Sequence, residues 1–324
     1  MNIHHTVTNF NKLKMIFSTE KPDFASIFAV LRLSPELDRE LCRMLPERPP
    51  DWSPQYLADS WSQRRFPSRT FPWAKSLIIM TIPFQKLPLA NLPEAPEDFE
   101  FSGKISSYAA RLDYHRAAHQ MLAPYAQGTR CEIAVDTAPL AERTLACIAG
   151  IGNIGLNHCL LVPDGSSCFI ASILSDAELP EIRFPRPDYC KHCMQCLDRC
   201  PNRQCAPEHC ISYLTMEKRG ALTAGERQIL GNWIFGCSQC VNACPAMPDE
   251  KDFNLDLEWL LNSSINDVNK LIRNTPLNYA GITLLRRNAL YVLANRGTRN
   301  CRTLIRNFGH KTGSRMLQQI CSEL

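Results

Sequence analysis

Four cysteines closed by a proline, Cys190, Cys193, Cys196, Cys200 and Pro201, constrain this chain more than any other feature in it. The spacing is C-x2-C-x2-C-x3-C-P. Two-residue gaps let one tight loop present successive thiolates to the corners of a single iron–sulfur cubane, and the three-residue gap sends the fourth sulfur to a second cluster. The proline helps to stop the loop closing on itself. A second run, Cys237, Cys240, Cys244 and Pro245, repeats the ending but has Ile234 where a full repeat would place a cysteine. Reciprocal pairing puts Cys190, Cys193, Cys196 and Cys244 around one cluster. Cys200, Cys237 and Cys240 then hold the other, with Cys205 and Cys210 the nearby candidates for its fourth ligand. Zinc knuckles or a disulfide framework are the competing uses. Zinc sites usually use two separated C-x2-C pairs, and neither use needs both Cys-Pro endings.

The chain has 324 residues, enough for one large or two ordinary domains. With 45% hydrophobic and 21% charged residues it reads as an ordinary globular protein. Met1 to Lys21 is polar with no apolar signal-peptide core, and no run approaches membrane-spanning length, so a cytoplasmic protein without membrane contact is expected. In that compartment sixteen cysteines point to metal rather than disulfides. Those outside the clusters, such as Cys42, Cys147, Cys159 and Cys301, are expected as buried small hydrophobes. Net charge is +4 but unevenly spread. From Lys270 to Leu324 there are ten Lys or Arg and one acid, Glu323, leaving that segment at +9 and the remainder at −5. A basic end on a mildly acidic body fits a polyanion, with nucleic acid the default, or else a solvated helical face.

Along the chain, Phe24 to Leu33 and Pro35 to Leu45 read as helical, and Ser76 to Ile82 as a buried strand. Pro83 to Phe101, rich in proline and acid, reads as a surface loop. Ile105 to Leu122 is helical in pattern. Cys131 to Val135 is a short strand delivering Asp136 at its end, where functional groups of α/β sheets tend to sit. Gly150-Ile151-Gly152-Asn153-Ile154-Gly155 is a literal G-x-G-x-x-G, but a helix (Ala141 to Ala149) precedes it where a dinucleotide site needs a strand, so that reading is rejected. The glycines fit a close backbone approach or a tight turn. Cys159 to Val162 and Cys168 to Leu174 read as a hairpin. Helices are expected at Ile211 to Arg219, Ala224 to Ile234, Leu255 to Leu261, Ile265 to Ile272, Leu284 to Ala294, Leu304 to Phe308 and Met316 to Cys321. Arg286 and Arg287 are expected off the apolar face of their helix. Short paired helices with a basic side resemble one or two HEAT-like units.

Several segments in order resemble the epoxyqueuosine reductase family, cobalamin-dependent iron–sulfur enzymes that act on tRNA. The residues are Tyr108, Asp113-Tyr114-His115, Val135-Asp136-Thr137-Ala138-Pro139, Glu142-Arg143, Ala149-Gly150-Ile151-Gly152, Gly155, Asn157 and both cysteine runs. Cys210-Ile211-Ser212-Tyr213-Leu214-Thr215, Ile234-Phe235-Gly236-Cys237 and Arg287-Asn288-Ala289-Leu290 continue the likeness, which covers roughly residues 70 to 297. The resemblance implies an α/β cobalamin-binding body over 1–180, a ferredoxin-like domain with two [4Fe-4S] clusters over 181–252, and a short basic HEAT-like segment over 253–324. It makes Cys210 the missing ligand and Cys205 a bystander. It implies Asp136 as the acid, and Tyr108, His115, Gly150, Gly152, Asn153, Gly155, Asn157 and Asp136 as cobalamin contacts. By the same resemblance, electrons pass singly through the clusters from an external donor to base-off cobalamin. The low-valent cobalt then acts on the epoxide carbon, and the oxygen leaves as water. The chain departs from the family at Asn153 and Leu156, where Trp and Lys are common, and at Lys191, where Gly is usual.

The implied function is reduction of epoxyqueuosine to queuosine in tRNA by a monomer, with tRNA held by the basic C-terminal segment. One alternative is a ferredoxin-like electron carrier, which has no evident use for some 185 residues before the clusters. The other is a cobalamin-dependent reductase of a small molecule such as an organohalide, which has no evident need for the +9 segment. For Asp136 the competing structural use is a strand-end cap on the following turn. The apolar strand before it leads to the expectation of a partly desolvated carboxyl.

Overall fold

The strand Ser76–Pro83 is the axis of the N-terminal half, because its residues are apolar on both faces and all but Pro83 are buried. In the computed structural model, which describes residues 25, 27–51, 53–126, 130–163, 165, 167–202, 207–247 and 250–324, the strands in chain order are β1 (Ile27–Arg32), β2 (Ser76–Pro83), β3 (Ser102–Ile105), β4 (Cys131–Ala134), β5 (Asn153–Ile154), β6 (Leu160–Leu161), β7 (Cys168–Ser175), β8 (Trp233–Phe235) and β9 (Phe253–Asp256). The helices used below are α1 (Pro35–Met44), α2 (Tyr114–Leu122), α3 (Glu142–Ile148), α4 (Ile211–Met216), α5 (Ala224–Leu230), α6 (Gly281–Arg296), α7 (Arg299–Lys311) and α8 (Arg315–Glu323). Residues cluster into two compact units. One draws on 1–87, 114–194 and 245–248, the other on 88–113, 195–244 and 249–324.

In the first unit an antiparallel sheet runs β1-β2-β7-β4, with Ile78 opposite both Val30 and Ile173. Period-two alternation sorts β2 between two cores. Leu77 and Ile79 pack with Leu37 and Leu41 of α1 and with Leu145 and Ile148 of α3. Ile78, Met80 and Ile82 pack with Ala118 and Leu122 of α2. This is a mixed α/β body, as expected. The helix expected over Phe24 to Leu33 is instead strand β1 over its described part. A short apolar run buried on both faces carries no periodicity to separate strand from helix. The expected hairpin of Cys159–Val162 with Cys168–Leu174 is also corrected, because β6 pairs with β5 while β7 enters the sheet between β2 and β4.

The second unit has a small sheet, β8-β3-β9, with β3 parallel to β8 and antiparallel to β9. Ile234, expected in a helix, lies in β8, and α5 stops at Leu230 with Gly231 at φ +58°. Helix α6 is buried along most of its length, and α7 and α8 follow it through one hydrophobic core. Arg286 and Arg287 are not on an exposed face. They are 8% and 0% exposed and donate to backbone carbonyls, because guanidinium groups can serve the unpaired carbonyls of neighbouring elements. No helix among the described residues is long and apolar enough to cross a membrane. The polar start, Met1 to Lys21, and Cys205 lie outside the described residues.

Candidate active site and thiol clusters

Asp136 follows β4 directly and takes a left-handed backbone, φ +55°, which ends the strand and turns its carboxyl aside. The sheet is antiparallel, so this placement owes nothing to the strand ends of parallel α/β folds. Tyr114, at the start of α2, donates its hydroxyl to Asp136 Oδ2 at 2.6 Å. His115 stacks on the Tyr114 ring with centroids 4.1 Å apart, while Phe84 and Phe169 pack at 5.8 and 5.3 Å from it. The expectation of a desolvated Asp136 is corrected, since the residue is exposed. The less exposed acid is Glu142, half-buried in the first turn of α3, which accepts the Asp136 backbone N–H at 3.0 Å. Burial, followed by the adjoining Asp136 carboxyl, holds the Glu142 proton well above the ordinary carboxylate range. In the sequence an acid in the first turn of a helix reads as a dipole complement, so Glu142 carries no sign of a raised pKa there. Its sequence signals are its place six residues after a strand-end aspartate and its part in the family resemblance.

The glycine segment is shaped by the chain's own packing. A Cβ on Gly150, at φ +75°, would stand 2.1 Å from the Phe184 carbonyl oxygen, and one on Gly152 would stand 2.3 Å from that of Leu161. Asn153 Oδ1 accepts the Tyr189 N–H at 3.0 Å, and Asn157, buried, accepts the Cys159 N–H at 3.1 Å. Gly155 donates its N–H to the Cys159 carbonyl at 3.0 Å. Ile154 and Phe184, on and beside this segment, are exposed large apolar side chains, which leaves apolar surface for a ligand to cover. Gly150, Gly152, Asn153, Gly155, Asn157, His115 and Asp136 all belong to the first unit. Tyr108 belongs to the second, where it packs on Met216 and Phe235.

The cysteines divide likewise. Cys190 and Cys193 lie in the first unit, and His192 and Met194, on either side of Cys193, are both left-handed, at φ +50° and +64°. Coiling of this kind by non-glycine residues marks a constrained loop. Cys196, Cys200, Cys210, Cys237, Cys240 and Cys244 lie in the second unit. Cys237 is half-buried, and burial pushes its thiol pKa far up, with Cys240, Cys210 and Cys200 near enough to add to the rise. Burial raises Cys210 as well, with Cys240 and Cys200 adding to it. Burial also raises Cys196, followed by Cys240 and Cys244. Thiols that repel one another's thiolates are a donor set awaiting a cation, which would take them deprotonated. Among the described residues no three His, Cys, Asp or Glu side chains form a single-ion site. The four neighbouring thiols fit a polynuclear cluster that takes one iron per thiolate. Gly236, at φ +66°, delivers Cys237 and donates its N–H to Thr215 Oγ1 of α4 at 3.0 Å. Of the cysteines expected as buried hydrophobes, Cys147 and Cys301 are buried, while Cys42 and Cys159 are half-buried.

This fold and these thiols define an iron–sulfur protein of the double-cluster kind, and comparison with known proteins bears that out. Residues 189–247, which contain both cysteine runs, match the family described as 4Fe-4S double cluster binding domain. Residues 64–137, ending one residue past Asp136, match the family described as Epoxyqueuosine reductase QueG, DUF1730. Among curated proteins the chain is 34% identical over 217 residues to an epoxyqueuosine reductase of Xanthomonas campestris, covering 59% of this chain and 61% of that one. One from Francisella cf. novicida is 29% identical over 271 residues, covering 74% and 75%. An epoxyqueuosine reductase structure from Streptococcus thermophilus superposes with TM-score 0.74 at 22% identity, covering 99% of this chain and 89% of that one. One with an epoxyqueuosine-modified tRNA-Tyr stem loop superposes at 0.72 and 20%, covering 98% and 87%. The chain is thus similar to the epoxyqueuosine reductases and shares their fold. It spans about three fifths of the length of the Xanthomonas relative, 61%.

Proposed function

We propose that this chain is a cobalamin- and iron–sulfur-dependent reductase that converts epoxyqueuosine to queuosine in tRNA. The observation that carries the reading is the gathering of Cys200, Cys210, Cys237 and Cys240, all half-buried, from both runs and the link between them, close enough to raise one another's thiol pKa. These four hold one [4Fe-4S] cluster in this reading, and Cys190, Cys193, Cys196 and Cys244 the other. The names of the relatives and the tRNA stem loop in one related structure support the choice of substrate.

Deoxygenating an epoxide to an alkene takes two electrons and two protons and releases water. Bound cobalamin would supply low-valent cobalt as the reductant, and Gly150, Gly152, Asn153, Gly155, Asn157, His115 and Asp136 would hold it beside the exposed apolar side chains of Ile154 and Phe184. Tyr108 completes the proposed contacts. The chain's own contribution is the proton. Asp136 is held by Tyr114 at an exposed position where a substrate oxygen can reach it. In this division 1–180 serves catalysis, 181–252 electron transfer, and 253–324, HEAT-like and basic, the tRNA. An external donor supplies the electrons to a cytoplasmic monomer.

The test is anaerobic purification with iron, sulfide and cobalamin analysis, followed by single-turnover reduction of epoxyqueuosine tRNA. Two clusters, one corrinoid and formation of queuosine are expected. Cys210→Ser and Cys244→Ser should each damage a different cluster. Full iron and an unchanged reduced-state spectrum in either variant would refute the ligand assignment. Clusters without a corrinoid would favour a simple electron carrier, and turnover of organohalides but not tRNA a small-molecule reductase.

A further inference from the structure

Three groups converge at the end of β4. The Tyr114 hydroxyl donates to one oxygen of Asp136, and the Asp136 backbone N–H donates to Glu142 Oε1. The Asp136 carboxyl also adjoins that of Glu142 and, after burial, helps to hold the Glu142 proton in place. Ionised carboxylates only accept hydrogen bonds, so two carboxyls can bond to each other only through a retained proton. Like charges this close cannot both ionise without cost, so one proton is retained by the pair.

We infer that Glu142 is the positioning residue of this site, holding the left-handed Asp136 loop through its backbone N–H and sharing with the Asp136 carboxyl the proton that the reaction draws upon. The inference rests on the reading of Asp136 as the acid. As the oxygen departs, Glu142 passes the shared proton to Asp136, which gives it to that oxygen. The pair, left doubly ionised, regains one proton from solvent, and solvent also supplies the second proton of the water released.

The surroundings favour the proton's staying on Glu142 while the site is at rest. Its burial disfavours charge, and Asp136 adds to this. Arg64, on the helix Trp61–Arg65, pulls the other way, but it is the smallest of these influences and its Nη1 donates to the Leu140 carbonyl at 2.6 Å. Tyr114 faces the pair from α2 and is neutral as a donor. The division of labour is an exposed acid that meets the substrate and a half-buried acid that keeps it charged with a proton. Two carboxyls in unlike environments commonly divide roles in this way.

The test compares Glu142→Gln, Glu142→Asp and Asp136→Asn in holoprotein, by single-turnover rate against pH and by infrared titration of protonated carboxyls. Glutamine can still accept the Asp136 N–H, so the loop is retained, but it holds no exchangeable acid proton. Glu142→Gln should lose turnover by about 10²-fold at neutral pH. It should recover towards the wild-type rate as pH falls, its alkaline limb displaced to lower pH, and Glu142→Asp should restore part of both. The infrared signal of a carboxyl still protonated at neutral pH should be present in wild type and absent from Glu142→Gln. Wild-type rate, pH profile and infrared signal in Glu142→Gln, with Asp136→Asn inactive, would overturn the inference alone. Near-normal turnover in Asp136→Asn would overturn the acid reading itself. Should Glu142→Gln fail to fold, a wild-type protein with no carboxyl protonated at neutral pH suffices to reject the shared proton.

Discussion

The guanidinium of Arg287, wholly buried, donates from Nη2 to the carbonyl of Leu214 in α4 at 2.6 Å. The same group reaches the carbonyls of Lys218 and Gly220 at 2.5 and 2.8 Å and Asn288 Oδ1 at 2.7 Å. Asn288 in turn donates to the carbonyls of Thr215 and Ile234 at 2.9 and 2.8 Å. A pair of adjacent residues on α6 thereby ties the end of α4, after Cys210, to β8, before Cys237. Burial lowers the Arg287 pKa to about 10, which leaves it charged at neutral pH.

Arg287→Ala would strip a donor from the buried Leu214 carbonyl and from Asn288, and from the carbonyls of Lys218 and Gly220 nearer the surface. An unsatisfied buried group costs roughly 1–3 kcal/mol and the solvent-reachable carbonyls less, so a loss of about 2 kcal/mol or more is expected. Because both ends of the tie deliver cysteines, iron content should fall together with the urea midpoint. A variant with wild-type midpoint and full iron would show that the tie does not organise the thiols.

Gly236 offers a finer probe of the same delivery. At φ +66° a Cβ would stand 2.6 Å from Ser106 Oγ, and Ser106 is fixed by a hydrogen bond from Ser238 Oγ at 3.2 Å. Gly231, at φ +58°, has nothing within 4 Å of a Cβ. Gly231→Ala should therefore cost only the left-handed backbone strain, roughly 1–2 kcal/mol. Gly236→Ala should cost more and lower the iron bound after reconstitution. Equal stability and equal iron in the two variants would contradict the steric argument.

The parts legible in the sequence were those with a period or a spacing. Ser76 to Ile82 announced a buried strand, and Cys237, Cys240 and Cys244 announced the partners of the earlier run. What stayed hidden depends on tertiary neighbours. Arg286 and Arg287 look like surface charge, and only the fold supplies the carbonyls that bury them. Ile27–Arg32 shows apolar residues without a phase, so its pairing with β2 decides its state. Asp136 follows an apolar strand yet is exposed, while the half-buried Glu142 is the acid whose proton burial holds in place.

Binding of tRNA by the basic C-terminal helices, as proposed, should use only those arginines that reach solvent unpaired by the fold's own carbonyls. Arg286 and Arg287 are buried, and Arg296 donates to Ser102 Oγ at 3.0 Å. Arg299, Arg302 and Arg306 on α7 are exposed. Changing any of these three to Gln should weaken binding and reduce the slope of log affinity against log salt by about 1 if it contacts a phosphate. Affinity that is flat between low and physiological salt would exclude this electrostatic mode.

Glu142 also has a consequence for stability. A carboxyl whose folded-state pKa is raised binds its proton more tightly in the native chain than in the unfolded one. Its stabilising contribution is complete below the ordinary carboxylate range and is lost as pH rises through the folded-state value. Wild type should therefore lose stability between mildly acidic and neutral pH in a step that Glu142→Gln lacks. At neutral pH the glutamine variant should match or exceed the wild type in melting temperature, even as turnover falls. A group whose only role was to cap the Asp136 turn would behave differently, with stability and turnover falling together. Thermal unfolding of wild type and variant across that pH range distinguishes the two, and parallel curves with the variant lower throughout would assign Glu142 to the cap alone.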